Sequence, residues 1–211
     1  VTSLPDKTTR DRPDPTGPAA DPQLAALVAR AGSAGRAPPV ERWDPPFCGD
    51  IDMRISADGR WHYGGSPIGR EPLVKLFASV LRREADGRYL LVTPVEKLGI
   101  TVEDVPFLAV EMHAEGDGAA TRLVFRTNVG DVVTAGAARP LRFTDDPATG
   151  GLKPYVLVRG RLEARLTRAV AHELAERAVT VVVDGAAHLG VWSDGMFFPM
   201  MTADALAASL A

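Results

Sequence analysis

Hydrophobic positions along this chain follow two periods, alternation and helical spacing. Ile51, Met53 and Ile55 alternate with Asp52, Arg54 and Ser56, which predicts a strand with one buried face. Asp58-Gly59 is a hairpin turn, and Trp61-His62-Tyr63 runs back as the next strand. Residues 70–82 place Leu73, Leu76, Phe77, Val80 and Leu81 on one helical face. Further strands are expected over 89–93, 100–103, 107–112, 121–127, 132–135 and 141–144, separated by turns at Asp86-Gly87, residues 115–119 and Gly130-Asp131. A second pass starts near Pro154. It predicts a strand over 155–159, a turn at Gly160, and alternation of Leu162, Ala164 and Leu166. A helix over 167–177 follows, with Val170 and Leu174 inward, then a β-branched strand over 178–184 and strands over 189–192 and 196–200. A short helix over 202–210 closes the chain, with Thr202 as N-cap.

The two passes share an order: strand, glycine turn, short strand, a triplet ending in Arg, one helix, then a meander. The triplets are Ile68-Gly69-Arg70 and Leu166-Thr167-Arg168, and each Arg opens its helix. The expected fold class is therefore α+β, with two similar subdomains, each a mostly antiparallel sheet with one helix. The expected boundaries are a disordered tail over 1–22, a short helix and linker over 23–46, and subdomains over 47–147 and 148–211, with a seam near Pro147–Pro154.

Composition changes this picture at the N-terminus. Of 17 prolines, nine fall in the first 46 residues, and proline excludes helix interiors and central strands. Residues 23–31 carry helical spacing at Leu24, Leu27, Val28 and Ala31, and residues 40–50 bring Trp43 and Phe47 to the body as an extended strap. The net charge of −3 argues against a binder of long nucleic acid, which needs a basic surface. Cys48 is the only cysteine, so neither an internal disulfide nor a multi-cysteine metal site can form, which fits a reducing compartment. No membrane-spanning run and no signal segment is visible, and a cytoplasmic protein is expected.

Familiar catalytic signatures are missing: no P-loop, no dinucleotide fingerprint and no zinc-binding helix motif occurs. Residues 190–195 (GVWSDG) depart from a nucleophile elbow at Val191 and read as a Ser-Asp-Gly turn. An enzyme reading rests on Cys48 as a nucleophile or on Asp50 and Asp52, which share one strand face. No cofactor and no metal is called for.

Three features stand out. Residues 59–70 (GRWHYGGSPIGR) set Trp61 and Tyr63 on one face beside Arg70 at a helix start; they serve either core packing or an aromatic platform next to an anion site. Residues 93–97 (TPVEK) end a strand with Lys97 at a proline turn. Arg159, Arg161, Arg165 and Arg168 gather around the second helix start. If the passes are duplicates, Arg70 and Arg168 occupy equivalent corners of a cleft between subdomains.

The run Cys48-Gly49-Asp50-Ile51-Asp52-Met53-Arg54-Ile55, the spaced Asp58-Gly59, Trp61, Tyr63, Gly65, Pro67-Ile68 and Arg70, the pair Leu76-Phe77, and the stretch Leu91-Val92-Thr93-Pro94-Val95-Glu96-Lys97 resemble the bacterial domain-of-unknown-function family 1285. Pro154-Tyr155, Leu162-Glu163-Ala164, Leu166, Arg168, Ser193, Gly195 and Phe197 extend the likeness, which covers roughly residues 47–200. The resemblance implies a duplicated α+β arrangement, a second half loosely like a pleckstrin-homology fold, a nucleotide-type ligand between the halves and a role in signal transduction. The leading expectation is thus a ligand-sensing module that binds a small anionic, nucleotide-based ligand at the inter-domain cleft. Trp61 or Tyr63 would stack on its ring, and Arg70, Lys97 and Arg168 would hold its charge. The alternatives are a protein-interaction adaptor with a protein partner, and the enzyme reading.

Overall fold

The structure, a computed structural model, describes residues 38–209. The expected tail over 1–22 and the helix over 23–31 lie outside the described residues. Two six-stranded sheets and a three-stranded sheet make up the body, with few helices.

The N-terminal sheet holds β1 (Phe47–Ile55), β2 (Trp61–Tyr63), β3 (Ser66–Pro67), β4 (Leu81–Arg83), β5 (Tyr89–Val92) and β6 (Lys97–Val102) in the order β3-β2-β1-β6-β5-β4. The second sheet holds β7 (Phe107–Glu115), β8 (Arg122–Thr127), β9 (Val132–Thr134), β10 (Leu141–Asp146), β11 (Gly151–Arg159) and β12 (Leu162–Leu166) in the order β10-β11-β12-β7-β8-β9. Each sheet is two antiparallel meanders of three strands. The meanders join where the first strand pairs parallel with the last, β1 with β6 and β7 with β12. The two halves therefore share one topology. The second curls into a half-barrel, in keeping with the expected pleckstrin-like character.

The repeat is aligned differently from the sequence reading. Helix α1 (Glu71–Ser79) sits between the two meanders of the first half. Helix α2 (Arg168–Ala175) follows the last strand of the second half. Arg70 and Arg168 thus hold non-equivalent places, because parallel pairing of first and last strands defines the repeat and helix order does not. Residues 147–150 form the turn between β10 and β11, and the change of sheet falls between Val102 and Phe107.

Alternation explains the strands. Met53 and Ile55 on β1, and Leu162, Ala164 and Leu166 on β12, are buried. α1 buries Leu73, Leu76, Phe77 and Ala78 and ends near Val80, where β4 begins, so the expected helix over 70–82 is shorter than its apolar spacing. One hydrophobic cluster joins Ile55, Trp61, Phe77 and Leu91 of the first half to Phe107, Phe125, Val156 and Leu162 of the second. Arginines fasten the same seam. Arg165 donates to Asp104 at 3.0 Å and to the Ala57 carbonyl at 2.7 Å. Arg159 donates to the Ala78 carbonyl of α1 and to Asp131, and lies over the Phe107 ring.

The third sheet, β13 (Val179–Val183), β14 (Ala186–Ser193) and β15 (Met196–Thr202), is an antiparallel meander capped by α3 (Ala203–Ser209). Thr202 Oγ1 accepts the Ala205 N–H at 3.2 Å, so the expected N-cap is present. Ser193 ties this sheet to the second. Its buried Oγ accepts the Leu123 N–H at 2.9 Å and donates to the Ala135 carbonyl at 2.8 Å. Gly190 stands at a register shift, and a Cβ there would stand inside contact of the Phe198 carbonyl oxygen and 2.6 Å from Phe197 Cζ.

Ser193→Ala removes both bonds and leaves two buried backbone groups unpaired, so it is expected to lower stability by about 1–3 kcal/mol in urea unfolding. Gly190→Ala is expected to cost about as much, roughly 1–3 kcal/mol by overpacking, because backbone must move.

Candidate functional site

The strap meets the N-terminal sheet along a groove of about 380 Å³ lined by Asp44, Phe47, Arg82, Glu84, Arg88 and Lys97, among others. Three local features build it. β1 carries register shifts against β6 on both sides of Asp50, and Gly49 has φ 103°, so a bulge bends the start of β1. Phe47, on the near side of that bulge, is left 45% exposed. The β4–β5 hairpin supplies Arg82, Glu84 and Arg88. β6 begins at Lys97, whose N–H bonds the Pro46 carbonyl at 2.9 Å.

Arg82 is buried and anchors the strap. Its guanidinium donates to the carbonyls of Val40 at 2.8 Å and Trp43 at 2.7 Å and pairs with Glu84. Val40 reaches the core and Trp43 packs against it. Glu41 extends toward Gly160 of the second half, with its Oε1 where a Cβ on that glycine would stand. Arg88 pairs with Asp86 at 2.8 Å, and its guanidinium carbon lies 5.5 Å from the Phe47 ring centre.

Lys97 differs from both arginines. Arg82 and Arg88 each pair with a carboxylate two residues away on their own hairpin, whereas Lys97 pairs with Asp44 on the strap at 2.7 Å. The Lys97 side chain is 17% exposed and that of Asp44 89%. A lysine whose side chain is mostly covered is therefore paired with a carboxylate standing mostly in water. The bond from Lys97 and its charge hold the Asp44 carboxyl below its usual range, with Arg82 adding to the effect.

The structure distributes the sequence-predicted residues. Trp61 is 2% exposed and stacks on Phe77 in the core, and its indole Nε1 is buried without a hydrogen-bond partner. Tyr63, half-buried, pairs with Met53, while Lys97 pairs with Phe47 six positions back along β1. Tyr63 and Lys97 thus stand on strands flanking opposite sides of β1 and at different heights along it, and do not share one site. Arg70 precedes α1 and Arg168 opens α2, both exposed. Cys48 is exposed, its thiol 3.7 Å from the Pro46 carbonyl, and Asp50 and Asp52 are exposed on β1. Among the described residues no group of three His, Cys, Asp or Glu side chains is placed to hold a metal. Sequence reasoning missed Asp44, Phe47, Arg82 and Arg88 as groove residues. The one signal for them is the strap, where Trp43 and Phe47 flank Asp44 and two prolines.

A repeated six-stranded sheet with parallel closure, a third sheet and an N-terminal strap define a two-domain, mostly β protein, and its domains are those of a described family. The model of the "Domain of unknown function (DUF1285), N-terminal domain" matches residues 38–105, and that of the "Protein of unknown function (DUF1285), C-terminal domain" matches residues 106–200. The chain belongs to the DUF1285 family, as its motifs imply. A crystallised DUF1285 family protein from Silicibacter pomeroyi DSS-3 is 47% identical, with a TM-score of 0.80 over 87% of this chain and 97% of that one. A second, from Shewanella baltica OS155, is 29% identical, with a TM-score of 0.49 over 60% of this chain and 91% of that one. No curated protein matches the chain.

The Asp44–Lys97 latch titrates in acid. A carboxyl held below its usual range adds stability that is fully present above the unfolded value near 3.8 and is lost as pH falls through the lower folded value. Asp44→Asn is expected to flatten the acid limb of the stability–pH curve by lowering stability slightly above that value, and to leave stability at the most acid pH unchanged, read as urea midpoints across the pH series.

Proposed function

We propose that this protein is a cytoplasmic ligand-sensing module of signal transduction that takes a small anionic, nucleotide-type ligand, with Lys97 as its anchor. The observation that carries this reading is the pairing of a largely buried Lys97 with a solvent-facing Asp44 on a strap. Asp44 occupies the place an anionic ligand group would take, and exchanging one carboxylate for a ligand phosphate keeps the lysine neutralised. The exposed face of Phe47 offers a ring platform beside Arg88, and stacking on an aromatic face tolerates any planar base. Displacing Asp44 loosens a segment that also carries Val40, Trp43 and Glu41, so occupancy would be passed to the second half through the strap. No described helix is long and apolar enough to cross a membrane.

The test is a calorimetric and thermal-shift screen of nucleoside mono-, di- and triphosphates and cyclic nucleotides against the full chain. A ligand that raises the melting temperature, with binding abolished in Lys97→Met, supports the reading. Asp44→Asn removes the internal competitor and is expected to tighten binding by up to about fivefold. Tyr63→Ala, Arg70→Ala and Arg168→Ala enter the same screen. Loss of binding in these with Lys97→Met unaffected would reject the groove in favour of a cleft between the halves, and no shift by any nucleotide would reject the nucleotide reading.

A further inference from the structure

The third sheet ends in an edge strand whose geometry fits a second copy of itself. β13 is Val179-Thr180-Val181-Val182-Val183, and among the described residues it pairs with β14 alone. The turn Asp184-Gly185 has φ of 50° and 82°, and a two-residue hairpin with both φ positive closes on a hydrogen-bonded pair, here Val183 and Ala186. Hydrogen-bonded and non-hydrogen-bonded pairs alternate along an antiparallel ladder. Val183, Val181 and Val179 therefore turn their N–H and C=O groups to β14, and Thr180 and Val182 turn theirs outward. Both outward residues are exposed, Val182 by 71%. The strand carries no Pro, no charged residue and no bulge, the devices that protect a free edge.

We propose that β13 is a homodimerisation strand, pairing antiparallel with β13 of a second copy to make a continuous six-stranded sheet. A two-fold axis normal to the sheet keeps each face on its own side, so residues that oppose one another must point the same way. The register that opposes all five residues puts Val181 on the axis, Val179 against Val183 and Thr180 against Val182. In that register the outward groups of Thr180 and Val182 meet as two hydrogen-bonded pairs, one on each side of the axis, and β-branched side chains face one another throughout. Charge is compatible with the same register. Arg177 precedes the strand and Asp184 follows it; both are exposed, and neither has an ion-pair partner within the described residues of one chain. With Val181 on the axis, Ala178 of one copy comes opposite Asp184 of the other, which brings Arg177, the next residue, to the same junction at both ends.

Sedimentation and light scattering of the full chain across a concentration series test the proposal, with the mass of two chains expected. Val182→Pro removes only an outward N–H, so the hairpin persists by circular dichroism while the dimer is lost. Val181→Pro removes an N–H bonded toward His188 and serves as the contrasting variant that damages the hairpin itself. An Arg177→Glu chain and an Asp184→Lys chain are each expected to be monomeric, since like charges meet at both junctions. Mixed, they are expected to form a one-to-one dimer, because one junction then holds Glu with Lys and the other Arg with Asp. A monomer at every concentration, a dimer untouched by Val182→Pro, or no pairing in the mixture would overturn the proposal.

Discussion

Parallel pairing of the first and last strands of each half is the constraint on which the rest of the structure depends. β1 meets β6 and β7 meets β12, so each half must bring its ends together after two meanders have formed. Antiparallel neighbours need only a turn, but a parallel pair needs a return path. The closing pairs therefore fix which strands become edges, where β3, β4, β9 and β10 stand, and where the halves meet. Such pairings join residues distant in sequence and carry a loop-closure cost that local hairpins avoid.

Arginine does much of the joining between elements that alternation alone would leave unconnected. Arg165 reaches Asp104 and the Ala57 carbonyl, Arg159 reaches α1, and Arg82 holds two strap carbonyls. Arg142 makes a two-bond fork with Glu163, at 2.8 and 3.0 Å, and stacks 4.1 Å over Tyr155. A planar group with five donors in a fixed fork reaches a carboxylate with two parallel bonds or spans separated acceptors, whereas a lysine offers three donors from a single point. Two of the four arginines that cluster in sequence around the second helix are thereby spent on architecture. Lys97, by contrast, pairs with a carboxylate on a separate segment, the strap.

The strap and the edge strand play opposite parts. The strap closes over the N-terminal sheet with its polar groups paired, so opening it needs a competitor. β13 leaves its outward backbone groups to water, so closing it needs only a partner. The first suits occupancy sensing, and the second suits assembly through backbone pairing.

The sequence by itself determined the buried faces of β1 and β12, where the Asp-Gly turns lie, the inner faces of α1 and α2, the Thr202 cap and the family. These follow from a period of two, a period near 3.6 and side-chain chemistry acting over a few residues. Only the tertiary structure decided the partners. Alternation sets Trp61 on one face of β2 but does not say that Phe77 covers that face, so core and platform read alike until packing chooses. Repeated helix-opening arginines mimic a duplication that strand pairing aligns differently. Lys97 stands 53 residues from Asp44 in sequence, and no local period reports which distant charge a folded chain brings to a lysine.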